Sequence, residues 1–334
     1  MKKYITKILI YSAGVFLLNL LIGWGLKSMG PKYSESEYGY IKWDALEKMD
    51  EEQLDILFIG SSHFLSGINP AVIDSLTGAN SFNIAGVGLR PGSAYIALKE
   101  VLNQHQPKVV VLDIFHRTFI GSSYNHLYNF GYVDLEGEKF DFYRKELAFD
   151  EKVRVALPTY TYRNHFPGAR ILFGIKKKMK NWKESTYKGY VPHENTIKAE
   201  ELAQNEFKNY VFKPEAVGKK NLEYLDKVVK LCKEKGIQLV WTTTPLPMVC
   251  LEDIKNKEAI DQYFQQLADQ YQVPYINYND LELRQQLALV DLEDYNDDDH
   301  LNVRGADKMC ADLSSRLKSY IDQNPALTYQ PGNE

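Results

Sequence analysis

Short apolar runs alternate with amphipathic stretches along most of this chain. LDILFIG at 54–60 and KVVVLDIF at 108–115 have the length and composition of strands that are buried on both faces. Three shorter runs predict further strands, namely ANSFNIAG, IQLVWTTTP and VPYINYN. The segments between these runs have helical periodicity. Strands that alternate with helices in this way predict an α/β fold with a parallel sheet and helices on both faces.

Five segments predict helices. NPAVIDSL has Asn69 as a candidate N-cap and Pro70 at the first helical position, and NLEYLDKVVKLCKEKG ends at Gly236. The other three are SAYIALKEVLNQH, EAIDQYFQQLADQYQ and VRGADKMCADLSSRLKSYI. The alternation stops at about 117–213, a stretch rich in Tyr, Phe, Asn, His and Arg. We interpret this stretch as a large insertion.

An uncharged run, ILIYSAGVFLLNLLIGWGL at 8–26, follows a start that contains Lys2, Lys3 and Lys7. As a helix it would be about 28 Å long, close to the ~30 Å hydrocarbon core of a bilayer. A cleaved signal peptide would have a shorter apolar core of roughly 7–15 residues, with small residues before the cleavage site. We expect an uncleaved single-pass membrane anchor with a cytoplasmic N-terminus and an extracytoplasmic remainder. A cleaved signal is the alternative.

These features divide the chain into an anchor at 1–30, a polar linker at 31–53 and an α/β domain at 54–325 that carries the insertion. The insertion contains a basic run, IKKKMKNWK. This run could approach anionic lipid or polymer, or it could be the solvated face of a helix.

The overall charge changes this picture little. The 334 residues have a net charge of -4, which does not favour a nucleic-acid partner. The three cysteines, Cys232, Cys250 and Cys310, form no CxxC pair, and their odd number leaves at least one thiol free. We interpret them as structural, and we predict no metal and no cofactor.

The pentapeptide FIGSS occurs twice, at 58–62 and at 119–123. Ser62 follows the strand-like run LDILFIG, so it is expected at the carboxyl edge of the sheet, where ligands bind in open α/β folds. Ser123 lies in the predicted insertion, where a serine beside a glycine is typical of a turn. Ser62 is therefore the better candidate for a nucleophile.

A candidate partner for Ser62 lies in NDDDHLNVRG at 296–305. Asp297 precedes His300 by three residues, so its carboxylate can accept from Nδ1–H and leave Nε2 free to take a proton from a serine hydroxyl. Two other interpretations stay open. The acidic run could cap the last helix, or it could bind calcium, although it lacks the order of an EF-hand loop.

Taken together, these blocks resemble the SGNH/GDSL hydrolase superfamily. The resemblance is carried by Gly60-Ser61-Ser62, by Asn83 with Gly88 five residues later, and by the DxxH block with its HLNxxG continuation. It covers 54–116 and 237–322. The branch it looks most like is the membrane-anchored one that includes DltD-type and related surface-polymer acyl-transfer proteins, which often have GSS in place of GDS.

The resemblance implies a three-layer α/β/α, flavodoxin-like fold with Ser62 as nucleophile, His300 as general base and Asp297 as the carboxylate that orients it. The backbone N–H groups of Ser62 and Gly88 would donate to the oxyanion. One block departs from the family pattern, because KVVVLDIFHRT has no Asn of the GxND type. His116 stands near that place and could donate instead.

Four other residues are expected around the site rather than in the chemistry: Ser61, His63, Asn83 and Asp113. Asp113 also precedes His116 by three residues, which repeats the spacing of the DxxH block and makes that pair a decoy to exclude.

The resemblance implies an extracytoplasmic serine esterase or O-acyltransferase that acts on acyl esters of a cell-envelope glycan or polymer, with a membrane-bound acyltransferase as a partner. The residues leave two alternatives. One is a catalytically silent module that binds a glycan or organises an acylation complex, as the missing GxND block suggests. The other is a soluble cytoplasmic hydrolase, which would require the apolar N-terminus to pack in a core.

Overall fold

The computed structural model describes residues 2–29, 42–43, 45–46, 49, 54–122, 137–149, 152, 157, 159 and 187–323. The chain divides into two compact units. One comprises Met1–Ile41 with His126–Trp182, and the other comprises Lys42–Asn125 with Lys183–Glu334. The second unit contains the sheet and all the candidate site residues that the structure describes.

The core of the second unit is a parallel five-stranded sheet. Its strands are β1 (Ile56–Ile59), β2 (Ser81–Asn83), β3 (Val109–Asp113), β4 (Gln238–Thr243) and β5 (Tyr275–Asn277). The spatial order is β2-β1-β3-β4-β5, which is the flavodoxin-like order. Every residue of β1 and β3 is buried, as expected for central strands covered on both faces. The predicted strands and the predicted α/β class are confirmed.

The described helices and 3₁₀ turns follow the strands in the predicted alternation. They are α1 (Lys2–Met29), α2 (Ser62–Gly67), α3 (Pro70–Thr77), α4 (Pro91–Val101), η1 (His116–Phe119), α5 (Gly137–Glu146), α6 (Ala199–Leu202), η2 (Pro214–Ala216), α7 (Lys219–Glu234), α8 (Met248–Asp253), α9 (Lys257–Tyr271), α10 (Leu281–Leu287), α11 (Asp291–Asp294) and α12 (Val303–Gln323). All five predicted helices are present. The short helices α2, α8, α10 and α11 lie in segments with no periodicity long enough to predict them.

The connections place the helices in two layers. The step from β1 through α3 to β2 runs one way along the sheet, whereas the steps through α4, α7 and α9 run the other way. Because crossovers between parallel strands are right-handed, α3 lies on one face and the other three helices lie on the opposite face. Packing agrees with this, since α4 contacts α7 and α3 contacts α12. The carboxyl ends of β1, β2 and β3 meet at one edge.

The two ends of the predicted insertion meet. Ile120 and Val217 form an antiparallel bridge, and Gly218 donates its backbone N–H to the Phe119 carbonyl at 2.9 Å. The segment 187–198, which lies inside the predicted insertion, is bound to the sheet domain by backbone hydrogen bonds from Asn83 to Lys188 and from Val191 to Leu65, both 2.9 Å. The basic run IKKKMKNWK lies outside the described residues.

Helix α1 contains one segment, Lys3–Gly25, that is long and apolar enough to cross a membrane, with a mean hydropathy of 2.0. Its large apolar side chains are mostly exposed to the surroundings of the protein. The segment has the properties of a membrane anchor or a signal sequence, as predicted for residues 8–26.

Candidate active site

Ser62 lies where β1 ends and α2 begins. Ser61 is the N-cap of α2, and its Oγ accepts from the His63 backbone N–H at 3.3 Å. Gly60 leaves no space for a larger residue, because an added Cβ would overlap Asp113 Cβ and lie 2.9 Å from Phe64 Cγ. The strand end, the glycine and the cap together hold Ser62 on a rigid turn at the carboxyl edge of the sheet.

The structure brings the three predicted catalytic side chains together. His300 Nε2 lies 2.7 Å from Ser62 Oγ, and His300 Nδ1 lies 2.9 Å from Asp297 Oδ1. Asp297 Oδ1 also accepts the backbone N–H of His300 at 2.8 Å, so one carboxylate oxygen holds both the backbone and the ring. Serine, imidazole and carboxylate in this order form the arrangement that activates a hydroxyl for nucleophilic attack.

A second carboxylate, which the sequence analysis did not single out, approaches the same ring nitrogen. Asp299 Oδ1 lies 2.6 Å from His300 Nδ1, closer than Asp297 does. The contact with Asp297 has the better hydrogen-bond alignment, whereas the contact with Asp299 is a close ion pair. Asp299 belongs to the DDDH run in the sequence, but the DxxH spacing indicates only Asp297, the residue three positions before the histidine.

The two carboxylates dominate the electrostatics of His300. Burial alone would lower its pKa, but the hydrogen bond with Asp297 and the contact with Asp299 outweigh burial and raise the pKa to about 10. The pKa of Asp299 is held well below its usual range, because its contacts with His300 and His63 outweigh the burial that would raise it. The pKa of Asp297 is also lowered, since the hydrogen bond from His300 opposes the effect of burial.

His63 lies directly against His300. The two rings stack with centroids 4.9 Å apart and an interplanar angle of 19°. His63 Nε2 lies 3.5 Å from Asp299 Oδ2, and His63 Nδ1 lies 3.0 Å from Ser61 Oγ. The first of these contacts is within ion-pair distance but is not a hydrogen bond, and the buried His63 Nε2 has no hydrogen-bond partner among the described residues.

Asp113 lies behind Ser61 rather than beside His116. Its Oδ2 contacts Ser61 Oγ at 2.5 Å and accepts the Ser61 backbone N–H at 2.9 Å. Burial raises the pKa of Asp113 above its usual value. Asp113 and His116 make no hydrogen bond within the described part of the chain, so this second DxxH spacing does not form an acid–histidine pair there.

Asn83 and the loop after it support the site from β2. Asn83 Nδ2 donates to the carbonyls of Phe64 at 2.7 Å and Ile68 at 3.0 Å, so it fixes the carboxyl end of α2. The loop is tied to the first strand because Gly86 N–H donates to the Gly60 carbonyl at 2.9 Å. Gly88, in the same loop, has a φ of 57°, a conformation that favours glycine.

His116 is buried at the start of η1 and packs against the rings of Phe115, Tyr210 and Phe212. Burial lowers its pKa to about 3, so the ring is neutral. Its Nε2 has no hydrogen-bond partner among the described residues. A neutral imidazole can still donate one N–H, which is what the predicted oxyanion role requires.

His193 is a further histidine beside the site that the sequence analysis missed. Its ring centroid lies 6.0 Å from that of His300, and its backbone carbonyl accepts from Val303 N–H at 2.9 Å. Burial and the neighbouring His300 lower its pKa, while Asp297 opposes this shift. His193 lies within the predicted insertion, where no pattern in the sequence indicated contact with the DxxH block.

Lys42 is a second residue that the sequence analysis missed, and it comes from the middle of the predicted linker. It is buried and donates from Nζ to the Ala85 carbonyl at 2.5 Å, in the loop that precedes Gly88. Burial lowers its pKa well below the usual value. Ser123, the competing serine, lies outside the described residues.

The side chains of His63, Asp299 and His300 bring their donor atoms within 4.8 Å of one another, as do those of Asp297, Asp298 and Asp299. Such closeness is compatible with a bound cation. In the first group, however, the two oxygens of Asp299 already face His63 Nε2 and His300 Nδ1, so we do not assign this group as a set of metal ligands.

No family model matches the chain, and no curated protein matches it. Among solved structures, it is similar to a GDSL-like lipase from Bacteroides thetaiotaomicron, with 10% identity and a TM-score of 0.41 over 86% of this chain and 100% of the other. It is also similar to an acylhydrolase, provisionally so named, from Bacteroides fragilis, with 11% identity and a TM-score of 0.41 over 86% and 97% of the two chains.

A third similar structure is an acetyl xylan esterase from the rumen bacterium Butyrivibrio proteoclasticus, with 9% identity and a TM-score of 0.30 over 82% of this chain and 66% of the other. These solved structures are described as lipases, acylhydrolases and esterases. At such low identities and TM-scores, the likeness carries no argument about the activity of this chain. The function has to be argued from the site itself.

Proposed function

We propose that this chain is a serine esterase or O-acyltransferase in which Ser62 is the nucleophile, His300 the general base and acid, and Asp297 the carboxylate that orients the imidazole. The observation that carries the proposal is the 2.7 Å contact between His300 Nε2 and Ser62 Oγ, at the end of the first strand. A silent binding module would have no need to hold these two atoms within hydrogen-bond distance.

The reaction begins when His300 Nε2 takes the proton of Ser62 Oγ as the oxygen attacks the carbonyl carbon of an ester. The tetrahedral intermediate then collapses, the carbon–oxygen bond to the alcohol breaks, and His300 returns the proton to the leaving oxygen. An acyl-enzyme on Ser62 is left. Water or a hydroxyl of an acceptor attacks it with His300 again as base, and the transfer of the acyl group restores the serine hydroxyl.

The negative oxygen of the intermediate needs donors that are not otherwise used. Within the described part of the chain, the backbone N–H groups of Ser62 and Gly88 have no hydrogen-bond acceptor. We propose both as oxyanion donors, with His116 Nε2–H as the third in place of the missing asparagine. Removal of one such donor typically costs 10²–10³ in rate.

The substrate and the location belong to the same proposal. An apolar N-terminal helix followed by an α/β domain fits an enzyme that is anchored to the cell membrane and acts outside the cytoplasm. Its substrate would then be an acylated glycan or polymer of the cell envelope, and a membrane-bound acyltransferase would be its partner. Hydrolase and transferase share the acyl-enzyme and differ only in the group that resolves it.

The test is covalent labelling of the full-length chain, in membranes or detergent, with a fluorophosphonate probe. Ser62→Ala is expected to abolish labelling, because the probe reacts with an activated serine hydroxyl. Ser123→Ala is the matched control, since it changes the last serine in the second copy of the same pentapeptide. This variant should label as the unmodified chain does.

Labelling that survives in Ser62→Ala and disappears in Ser123→Ala would overturn the choice of nucleophile. A folded chain that does not label at all would favour the silent module instead. If the chain reacts with the probe, it is then incubated with an acetyl ester, with and without an added sugar acceptor. Release of acetate indicates hydrolysis, and acetylation of the sugar indicates transfer.

A further inference from the structure

The strongest unexplained feature of the site is a second polar limb, a chain of side-chain contacts that reaches the same ring nitrogen of His300 as Asp297 does. It runs from Asp113 through Ser61 and His63 to Asp299, with successive contacts of 2.5 Å, 3.0 Å and 3.5 Å. It ends on His300 Nδ1, 2.6 Å from Asp299 Oδ1. The proposed triad does not need this limb, yet it is built from side chains that are buried or largely buried.

We propose that Asp299 is a second positioning carboxylate for His300 and that His63, through its Nε2–H, is the residue that holds Asp299 in place. The inference rests on the proposed function, because it assigns the orientation of the same general base. It adds two positioning residues that neither the family pattern nor the spacing of the DxxH block indicates.

The placement of protons follows from the partners. An ionised Asp299 can only accept, so it favours a proton on each ring nitrogen that faces it, on His300 Nδ1 at one oxygen and on His63 Nε2 at the other. A proton on His300 Nδ1 leaves its Nε2 as the acceptor that Ser62 requires. The low pKa of Asp299 agrees with an ionised carboxylate in this position.

The other end of His63 is fixed as well. Its Nδ1 faces Ser61 Oγ, which in turn contacts the buried Asp113. Ser61 Oγ donates to Asp113 Oδ2, so the hydroxyl beside His63 Nδ1 is itself held in place. These contacts fix the Nδ1 edge of the ring, and the Nε2 edge is thereby presented to Asp299.

Packing leaves His63 little freedom to turn away. The side chain is 2% exposed, with Phe115 on one side at a centroid distance of 3.9 Å and His300 stacked at 4.9 Å. Four titratable groups contact His300, namely Asp297 and Asp299 on its own loop, His63 from α2, and His193 from the segment 187–198. Asp113 of β3 acts on it from behind Ser61. The carboxylates of Asp297 and Asp299 are the groups that raise its pKa.

The experiment measures the rate of fluorophosphonate labelling of the full-length chain as a function of pH. In Asp299→Asn, the midpoint at which the rate rises should move to lower pH by roughly one to three units, because one of two carboxylates beside His300 is lost. The plateau at high pH should also fall. An unchanged midpoint would overturn the assignment of Asp299.

His63 is tested with a matched pair. His63→Leu removes the donor and should lower the plateau by about tenfold to a hundredfold, as expected when a base is displaced. His63→Gln keeps an N–H that can reach Asp299 and should retain most of the rate. Both variants lose the stacked ring, so equal rates in the two would show a packing role only and overturn the proposal for His63.

Double variants separate this limb from the first one. His63→Leu should add nothing further to Asp299→Asn, because His63 acts through Asp299, but it should lower the rate of Asp297→Asn further. Additive losses of His63→Leu and Asp299→Asn would contradict the proposed connection.

A titration of ¹⁵N-histidine resonances keeps the inference testable even where labelling is lost. The midpoint of His300 should be lower in Asp299→Asn than in the unmodified chain, whether or not Ser62 is reactive. If the wild-type chain does not react with the fluorophosphonate but the midpoint of His300 shifts in Asp299→Asn, the proposed enzyme is contradicted and the ion pair is not. If the wild-type chain reacts but the midpoint does not shift, the inference is contradicted and the proposed enzyme is not.

Discussion

At the scale of single residues, the site is governed by His300 and the charges around it. A general base must offer an unprotonated Nε2, but the two carboxylates at Nδ1 hold the pKa of His300 at about 10, against the burial that would lower it. At neutral pH the His300 ring is therefore mostly in the imidazolium form. Such a resting state stabilises the acidic loop and delays activation of Ser62 until the proton is lost.

This leads to a prediction for the pH dependence of the unmodified chain. The second-order rate with a fluorophosphonate should rise with pH through neutrality, about tenfold per unit, and level off near pH 10, because the reactive fraction is the deprotonated one. The rate is measured by quenching the labelling reaction at several times at each pH between 6 and 11, on a chain that is shown to stay folded over this range. A rate that is already flat from about pH 7 upwards would contradict the high pKa.

The raised pKa of His300 also makes the stability of the fold depend on pH, and stability falls over the range in which the labelling rate rises. The folded pKa of His300 lies above its unfolded value, so its contribution to the free energy of unfolding is complete below about pH 6.5 and is lost as pH rises towards 10. Activity and stability at this loop are thus expected to trade against each other across the alkaline range.

At the scale of elements, the turn from β1 to α2 places Ser62. The turn works because Gly60 lets the end of β1 pass close to Asp113 at the end of β3, and because Asn83 of β2 holds the carboxyl end of α2. Three adjacent strands therefore contribute to the position of one hydroxyl.

Gly60→Ala is the variant that tests this turn. Its methyl group would overlap Asp113 Cβ, so we expect a loss of roughly 1–3 kcal/mol in the free energy of unfolding together with a large loss of labelling. Gly78→Ala is the control. Gly78 has a φ of 71° with open space around it, so alanine there should cost about 1–2 kcal/mol and leave labelling of the folded chain intact. Equal labelling in the two variants would show that the turn does not position Ser62.

At the scale of the whole molecule, the apolar α1 and the α/β domain determine where the chemistry would take place. The segment Lys3–Gly25 has the length of a membrane span, and the described cysteines of the α/β domain are all buried. Low background reactivity of these thiols makes an introduced cysteine a clean reporter of which side of a membrane the domain occupies.

The prediction is that the full-length chain stays in the membrane fraction after alkaline carbonate extraction, because about 20 apolar residues suffice to span the bilayer. In the variant Lys233→Cys, a membrane-impermeant maleimide should label intact cells, since this position is exposed on α7. Lys3→Cys should label only after the membrane is permeabilised. Labelling of Lys233→Cys only after permeabilisation would place the domain in the cytoplasm and overturn the proposed location.

The sequence by itself determined the alternation of strands and helices, the parallel sheet, the apolar N-terminal helix and the choice of Ser62, Asp297 and His300 as candidates. Those features are local, because each depends on residues that are close together in the sequence. Apolar runs indicate strands buried on both faces, helical periodicity indicates helices, and short spacings indicate the candidate residues. The tertiary structure decided what converges on His300. Asp299 competes for the same nitrogen, His63 stacks on the ring, and His193 arrives from a segment about 100 residues earlier in the chain. Such contacts depend on how distant segments pack at one edge of the sheet, and no periodicity in the sequence records them.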